Sequence, residues 1–143
     1  MRLLLDVNVW IALFDDDHIH NVQVLSLMAK PGLQIATCAL TENGVLRVMN
    51  LPSYGKRAPP GFDAVRSKLT LVCGELDHEF WPCDVSLRDE SVLNWTRIIG
   101  HNQITDAYLL ALAVRYGGAL ATLDHRIALS AVTGATADHL VLL

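Results

Sequence analysis

Four acidic residues have the types and positions needed for chemistry: Asp6, Glu42, Asp106 and Asp124. Three of them follow apolar, strand-like runs, which read LLLD, QIATCALTE and ALATLD, and Asp106 opens the helix-like run DAYLLALAVRY. In an alternating α/β chain these junctions gather at one edge of a parallel sheet, where ligands bind. Clustered carboxylates repel each other unless a cation lies between them, and oxygen ligands suit Mg²⁺ or Mn²⁺. The pattern therefore predicts metal-assisted phosphoryl chemistry.

Taken singly, each acid also suits the first turn of a helix, where carboxylates stabilise by roughly 0.3–1 kcal/mol. Asn8 lies two residues after Asp6, and Thr122 lies two residues before Asp124. Short polar side chains beside metal-binding acids can orient ligands or bound water, but they also serve in turns and helix starts. Spacing alone leaves both interpretations open.

The elements that must position these acids alternate along the chain. Hydrophobic periodicity and the glycine and proline stops predict strands at 3–5, 33–37, 79–85, 119–123 and 140–143, and helices at 7–14, 18–29, 42–50, 64–73, 89–99, 106–116 and 125–131. Such alternation predicts a parallel or mostly parallel sheet between two layers of helices. A length of 143 residues fits one domain.

Composition excludes several classes of protein. Apolar residues make up 52% of the chain and charged residues 18%, which is typical of a globular domain with a large core. An odd number of cysteines without a C-x-x-C spacing disfavours a disulfide framework or a zinc site, and fits a reducing cytoplasm. The apolar N-terminus is interrupted by Asp6 and Asn8, so we expect neither a signal peptide nor a membrane span.

Three segments carry a family resemblance, and they read LLLDVNVWIAL, LTENGVLRVMN and QITDAYLLALAVRYGGALATLDHR. Their ordered motifs, D-x-N, T-E-x-G-x-x-R, T-D-A-x-L-x-A-x-A and T-x-D, resemble the signatures of PIN-domain proteins. More narrowly, they resemble those of the VapC ribonuclease toxins of bacterial toxin–antitoxin pairs. The resemblance runs from residue 2 to about residue 127, and its poorest part is 52–80.

The resemblance implies a PIN-like three-layer α/β/α sandwich, with residues 1–143 forming a single PIN-like nuclease domain. It also implies an endoribonuclease that depends on one or two Mg²⁺ or Mn²⁺ ions and cleaves RNA with metal-activated water. The positions that match the family's acidic quartet and its two accessory polar sites are Asp6, Glu42, Asp106, Asp124, Asn8 and Thr122. We expect Asp6 and Asp106 to be the primary metal ligands, with Asp124 and Glu42 completing the shell.

A basic stretch supplies candidates for binding the substrate. The net charge is −4, yet residues 47–68 contain five basic side chains and one acid. Arg47 can reach a phosphate or pair with a neighbouring acid. Lys56 and Arg57 share a loop with aromatic residues, a combination that can hold single-stranded RNA, although a solvated loop is the simpler interpretation.

The partners implied by the resemblance are an RNA substrate and a cognate antitoxin protein, together with a homodimer formed through apolar helix faces. Two other functions stay open at this point. A haloacid-dehalogenase-like phosphatase also places an aspartate after its first strand, but that chemistry needs a second acid where this chain has Asn8. A non-catalytic α/β binding domain is the other alternative, since fold alone does not establish activity.

Overall fold

One five-stranded parallel sheet organises the computed structural model, which describes residues 1–143. Its strands are β1 (Leu3–Leu5), β2 (Gln34–Thr37), β3 (Asp77–Phe80), β4 (Ala119–Thr122) and β5 (Leu140–Leu142). Their order across the sheet is β3-β2-β1-β4-β5, and every neighbouring pair is parallel. The predicted parallel sheet is confirmed, and β1 lies at its centre with β2 and β4 on either side.

Helices cover both faces of this sheet. They are α1 (Val7–Phe14), α2 (Asn21–Met28), α3 (Ala39–Met49), α4 (Phe62–Glu75) and α5 (Gln103–Arg115). None of them is both long and apolar enough to cross a bilayer.

Two hydrophobic clusters separate the layers. Leu3 and Leu5 belong to the cluster beneath α1–α4, whereas Leu4 belongs to the cluster beneath α5. Successive side chains of a strand point to opposite faces, so β1 contributes to both cores and is apolar throughout. Burial of each leucine contributes about 1.5–3 kcal/mol to the stability of the folded chain. The three-layer α/β/α sandwich predicted from the sequence is confirmed.

The segment between β3 and α5 differs from the sequence prediction. A helix predicted at 89–99 is wrong, since only a 3₁₀ turn at Trp95–Arg97 forms there. The Asp89 carboxylate accepts hydrogen bonds from the backbone and hydroxyl of Ser91, at 2.9 and 2.6 Å, and such local bonds compete with helix formation. Leu93 then pairs with Val132 in an isolated antiparallel bridge.

Two shorter elements also differ. The strand predicted at 79–85 lies at Asp77–Phe80 and ends before Trp81 and Pro82. The helix predicted at 125–131 is only a 3₁₀ turn at Leu129–Ala131. In both cases the position of the element along the chain was predicted, but its length and type depend on tertiary contacts that local periodicity does not encode.

A close crossing of α1 and α3 brings the helix that carries Glu42 towards the central strand. Gly44 of α3 faces Val7 of α1, and a Cβ at Gly44 would lie 2.5 Å from a Val7 methyl carbon. A side chain larger than hydrogen therefore fits only if the Val7 side chain shifts or the helices separate.

We predict that Gly44→Ala destabilises the protein by about 1–3 kcal/mol, because overpacking outweighs the better helix propensity of alanine. Gly74→Ala in α4 is the matched control, since no heavy atom lies within 4 Å of its Cβ position. The control should raise stability by about 0.5–1 kcal/mol. Urea unfolding measures both variants, and equal stabilisation by the two would show that the Val7 contact is unimportant.

Candidate active site

Asp6 occupies the end of the central strand and the N-cap of α1. Its carboxylate accepts a hydrogen bond from the Val7 backbone at 2.7 Å and another from the Thr122 hydroxyl at 2.6 Å. The side chain is buried, and this burial raises the pKa of Asp6, while the two hydrogen bonds offset part of the effect and the charge of Asp124 adds to it. Asp6 is thus a carboxylate held in a fixed orientation inside an unfavourable electrostatic environment.

Thr122 connects Asp6 to the end of β4. Its fully buried hydroxyl donates to Asp6 and accepts hydrogen bonds from the Asn8 side-chain amide and the Asp124 backbone, both at 3.0 Å. One donor and two acceptors exhaust the capacity of a hydroxyl group. Asn8 completes the network by accepting a hydrogen bond from the Leu123 backbone at 3.2 Å. The structure therefore brings together both residues that were selected from the sequence as accessory polar positions.

Asp106 lies in the first turn of α5, on the same edge of the sheet. Burial is the largest influence on its carboxyl group and raises the pKa of Asp106 to about 6. Repulsion from Asp6 and Asp124 raises it further, and Arg126 acts in the opposite direction. Three of the four predicted acids therefore lie close enough to repel one another.

Asp124 differs from the other two aspartates because it has a cationic partner. Arg126 Nε and Nη2 donate to the two carboxylate oxygens at 2.9 and 2.7 Å, and the Arg126 backbone donates at 2.9 Å. These contacts lower the pKa of Asp124 to about 2. Sequence analysis missed Arg126, although the D-x-R spacing after β4 was a signal for it.

Glu42 lies beside the neighbouring strand β2. Its carboxylate accepts a 2.7 Å hydrogen bond from the hydroxyl of Thr37, and that hydroxyl lies 2.8 Å from His78 Nε2. Since Thr37 gives its only proton to Glu42, His78 Nε2 must be the donor in the second bond. Burial lowers the pKa of His78. Thr37 and His78 were not selected from the sequence, because their role arises from strands that pair only in the folded chain.

The three aspartates do not form a finished cage. No group of three acidic, histidine or cysteine side chains lies close enough to hold a metal ion between them. Asp124 instead faces Arg126, and Glu42 faces Thr37. The site has the charge and oxygen donors for a divalent cation, but its side chains must move together to bind one.

Comparison with known proteins identifies the family. The profile of the PIN domain matches residues 3–132. The chain belongs to the PIN-domain family. It is 42% identical to Ribonuclease VapC44 of Mycobacterium tuberculosis over 147 aligned positions that cover all of both chains. It is also 34% identical to Ribonuclease VapC29 of the same organism, with 90% of each chain covered.

A solved structure agrees with this fold. The crystal structure of VapBC2 from Rickettsia felis, bound to a DNA fragment from their promoter, matches with a TM-score of 0.54. The match covers 88% of this chain and 90% of that one, at 20% sequence identity, so it bears on the fold alone. Membership of the PIN-domain family therefore argues against the haloacid-dehalogenase-like phosphatase, which the position of Asp6 after the first strand had left open.

Oxygen donors and uncompensated charge make this PIN-domain site suitable for a hard cation such as Mg²⁺ or Mn²⁺. Asp6 and Asp106 have raised pKa values because burial and neighbouring negative charge disfavour their ionised forms. A cation between them would reverse that penalty. Asp124 can join the same ion if Arg126 moves aside, which its 88% side-chain exposure permits.

The predicted basic surface lies elsewhere in this PIN domain. Arg57 forms a 2.7 Å ion pair with Asp17, and Lys56 and Arg57 line a groove of about 730 Å³ together with the acids of 15–17. Helix α1 starts beside Asp6 and ends beside this groove, a span of about 12 Å for eight residues at 1.5 Å each. Arg47 lies in the last turn of α3, also away from the start of that helix. Their contact with RNA stays a prediction.

We predict that Thr122→Val destabilises the protein by about 1–3 kcal/mol and raises the pKa of Asp6, because it leaves buried polar partners unsatisfied. Thr122→Ser keeps the hydroxyl and is the matched control. Urea unfolding and NMR titration of the Asp6 carboxyl group measure the two effects. An unchanged Asp6 pKa in the valine variant would show that the hydroxyl does not orient this carboxylate.

A second prediction concerns Asp106 in chelator-treated protein. Its pKa is about 6 in the fold and 3.8 when unperturbed, so the folded state binds this proton more tightly. The contribution of Asp106 to stability must then fall as pH rises from about 4 to 6. Asp106→Asn should raise stability at pH 7 by on the order of 1 kcal/mol, after allowance for screening at a half-exposed site, but not at pH 4.

The control for this experiment is Asp138→Asn, which alters an exposed aspartate. Thermal unfolding at the two pH values should show a gain of roughly 2–4 °C at pH 7 for the Asp106 variant. The same shift at both pH values, or a shift shared by the control, would contradict repulsion within the cluster.

Proposed function

We propose that this chain is a metal-dependent endoribonuclease and the toxin of a toxin–antitoxin pair. The observation that carries this proposal is the convergence of Asp6, Asp106 and Asp124 at the carboxyl edge of a PIN-domain sheet. Full-length similarity to a protein named as a ribonuclease, at 42% identity, supports the same activity. A single domain formed by residues 1–143 would carry it, and its proposed location is the cytoplasm.

Each residue of the site has a task in this mechanism. Asp6 and Asp106 would hold the cation, with Asp124 as a further ligand, and Thr122 and Asn8 keep Asp6 in one rotamer. When bound, one or two Mg²⁺ or Mn²⁺ ions would supply Lewis-acid stabilisation and make water easier to deprotonate. Glu42, which lies in the first turn of α3 and accepts a hydrogen bond from Thr37 of β2, would orient that water and accept its proton.

Arg126 couples metal binding to the approach of RNA. Its guanidinium group neutralises Asp124 in the structure and is 88% exposed. If Asp124 served as a cation ligand, this group would be available to a phosphate, which arginine binds through two parallel hydrogen bonds. Arg126 thereby offsets the repulsion between RNA and an acidic cluster.

The proposed protein partners are an antitoxin and a second copy of this chain. Helix α2 and the turn before it expose Ile19, Val22 and Leu25, of which the first is 90% and the second 76% exposed. Their spacing of three residues places them on one face of the helical segment, and an exposed apolar face of this kind favours a protein interface. The antitoxin is proposed from the similarity to proteins named VapC, at 42% and 34% identity, because toxins that resemble these act in toxin–antitoxin pairs.

Substitution of the metal ligands tests the proposed activity. We predict that the parent protein cleaves RNA with Mg²⁺ or Mn²⁺, and that Asp6→Asn or Asp106→Asn lowers the rate by about 100-fold or more, because electrostatic stabilisation of the transition state is lost. Asp138→Asn should retain the parent's rate. Thermal unfolding should also show that either cation stabilises the parent more than the two site variants.

Growth measurements test the role as a toxin. Expression of the parent alone should arrest growth, and Asp6→Asn should relieve the arrest at equal protein levels. Full RNA cleavage by either site variant would refute the assignment of the metal ligands. Normal growth with abundant active parent would refute the toxin role.

The basic loop is tested by replacing Lys56 and Arg57 together with alanine. If both contact phosphates, RNA binding weakens, and the log–log salt slope becomes shallower by about 0.7 per lost contact. Lys30→Ala combined with Arg88→Ala, two exposed basic residues outside this loop, provides the charge-matched control. Equal affinity and slope for the parent and the loop variant would show that RNA takes another path.

A further inference from the structure

A cavity of about 210 Å³ opens beside the aspartates. Asp106, Asp124 and Arg126 form its charged end, at the proposed site of metal binding and phosphate contact. Its remaining wall is largely aliphatic and includes Ile98, Ala128 and Ala131. The cavity is therefore amphipathic, and its charged end is continuous with the acidic site.

We propose that this cavity binds the base of one nucleotide next to the cleaved phosphodiester. The inference rests on the proposed ribonuclease activity and names a subsite within it. A phosphate belongs at the charged end. Beyond it only Asn102 and Gln103 offer hydrogen bonds, and the other five lining residues are aliphatic and would leave a phosphate or ribose largely unsatisfied. A nucleobase has flat apolar faces and polar edges, and it is the part of the same nucleotide that suits such a wall.

Gln103 supplies a polar contact at this cavity. Its Oε1 accepts hydrogen bonds from the backbones of Ile99 and Gly100, at 2.7 and 3.0 Å. These two donors fix the orientation of the amide, so its amino group is left to donate to the edge of a base. Gln103 lines the cavity, and a base with an acceptor at the facing edge is therefore preferred.

An abasic scan combined with a filled cavity tests this subsite. An oligoribonucleotide that the parent cleaves is first selected from a random pool, and each base in turn is then replaced by an abasic residue. Affinity is measured by fluorescence anisotropy in an Asp6→Asn background, which prevents cleavage and leaves the lining of the cavity unchanged. Ala128→Phe fills the cavity from a half-buried position with extended backbone. Ala64→Phe, on the exposed surface of α4, is the matched control.

In the parental cavity, one abasic position beside the cut should weaken binding by about tenfold, the lower part of the range for a base contact. The Ala128→Phe variant should bind intact RNA about tenfold more weakly than the parental cavity does. An abasic residue at that position should weaken its binding no further, because both changes remove the same contact. The Ala64 control should show the parental profile. Ile98→Ala, which enlarges the cavity, should weaken the preference for one base at that position in random-pool cleavage.

Each contrary result has a distinct meaning. The base subsite is refuted if no abasic position weakens binding more than the others. It is also refuted if the affinity losses from Ala128→Phe and from the abasic residue simply add. In either case, RNA cleavage by the parent still supports the proposed function. A parental base preference retained by both cavity variants also overturns the base subsite. If the parent neither binds nor cleaves any RNA of the pool, the proposed function fails and the subsite fails with it.

Discussion

The 2.6 Å hydrogen bond between Thr122 and Asp6 is the interaction on which this site depends. It joins residues 116 positions apart and forms only because β1 and β4 are parallel neighbours. The same pairing places Asp124 beside Asp6, since both follow the ends of their strands. Correct sheet topology and correct assembly of the acids are therefore one event, and an error in strand order would lose both.

Repulsion between ionised carboxylates destabilises the assembled site when neither a cation nor a partner protein is bound. Asp6 and Asp106 have raised pKa values, and only Asp124 has a cationic partner of its own. The remaining negative charge must be offset by protons, by a divalent cation or by a basic side chain from another protein. Stability is thus lowered where chemistry is expected, and the apolar cores above and below β1 compensate for it.

Glu42 is positioned separately from the aspartates, by elements on the other side of the central strand. The absence of a side chain at Gly44 lets α3 approach Val7, and the Thr37 hydroxyl with His78 behind it holds the carboxylate. The distance between Glu42 and the three aspartates consequently depends on helix packing rather than on one strand pairing.

The sequence by itself determined the fold class, and it singled out Asp6, Asp106 and Asp124, which the structure brings together, and the pair Asn8 and Thr122, which the structure joins by a hydrogen bond. Apolar strands buried on both faces leave a periodic signal, and acids directly after such strands must gather at one edge of a parallel sheet. The motifs that resemble PIN-domain proteins are local enough to be read in order along the chain.

Tertiary structure decided how those residues are held and which of them meet. The Thr37 hydroxyl of β2 donates to Glu42 of α3 and accepts a bond from His78 of β3. The use of Thr122 as a link between two strands follows from strand order, which local periodicity does not specify. The loop containing Asp89 was misjudged as helix because its side-chain hydrogen bonds and the Leu93–Val132 bridge outweigh periodicity. Charge counting grouped Lys56 and Arg57 with a substrate surface. Only the fold shows that α1 separates them from the aspartates and that Arg57 forms a surface ion pair with Asp17.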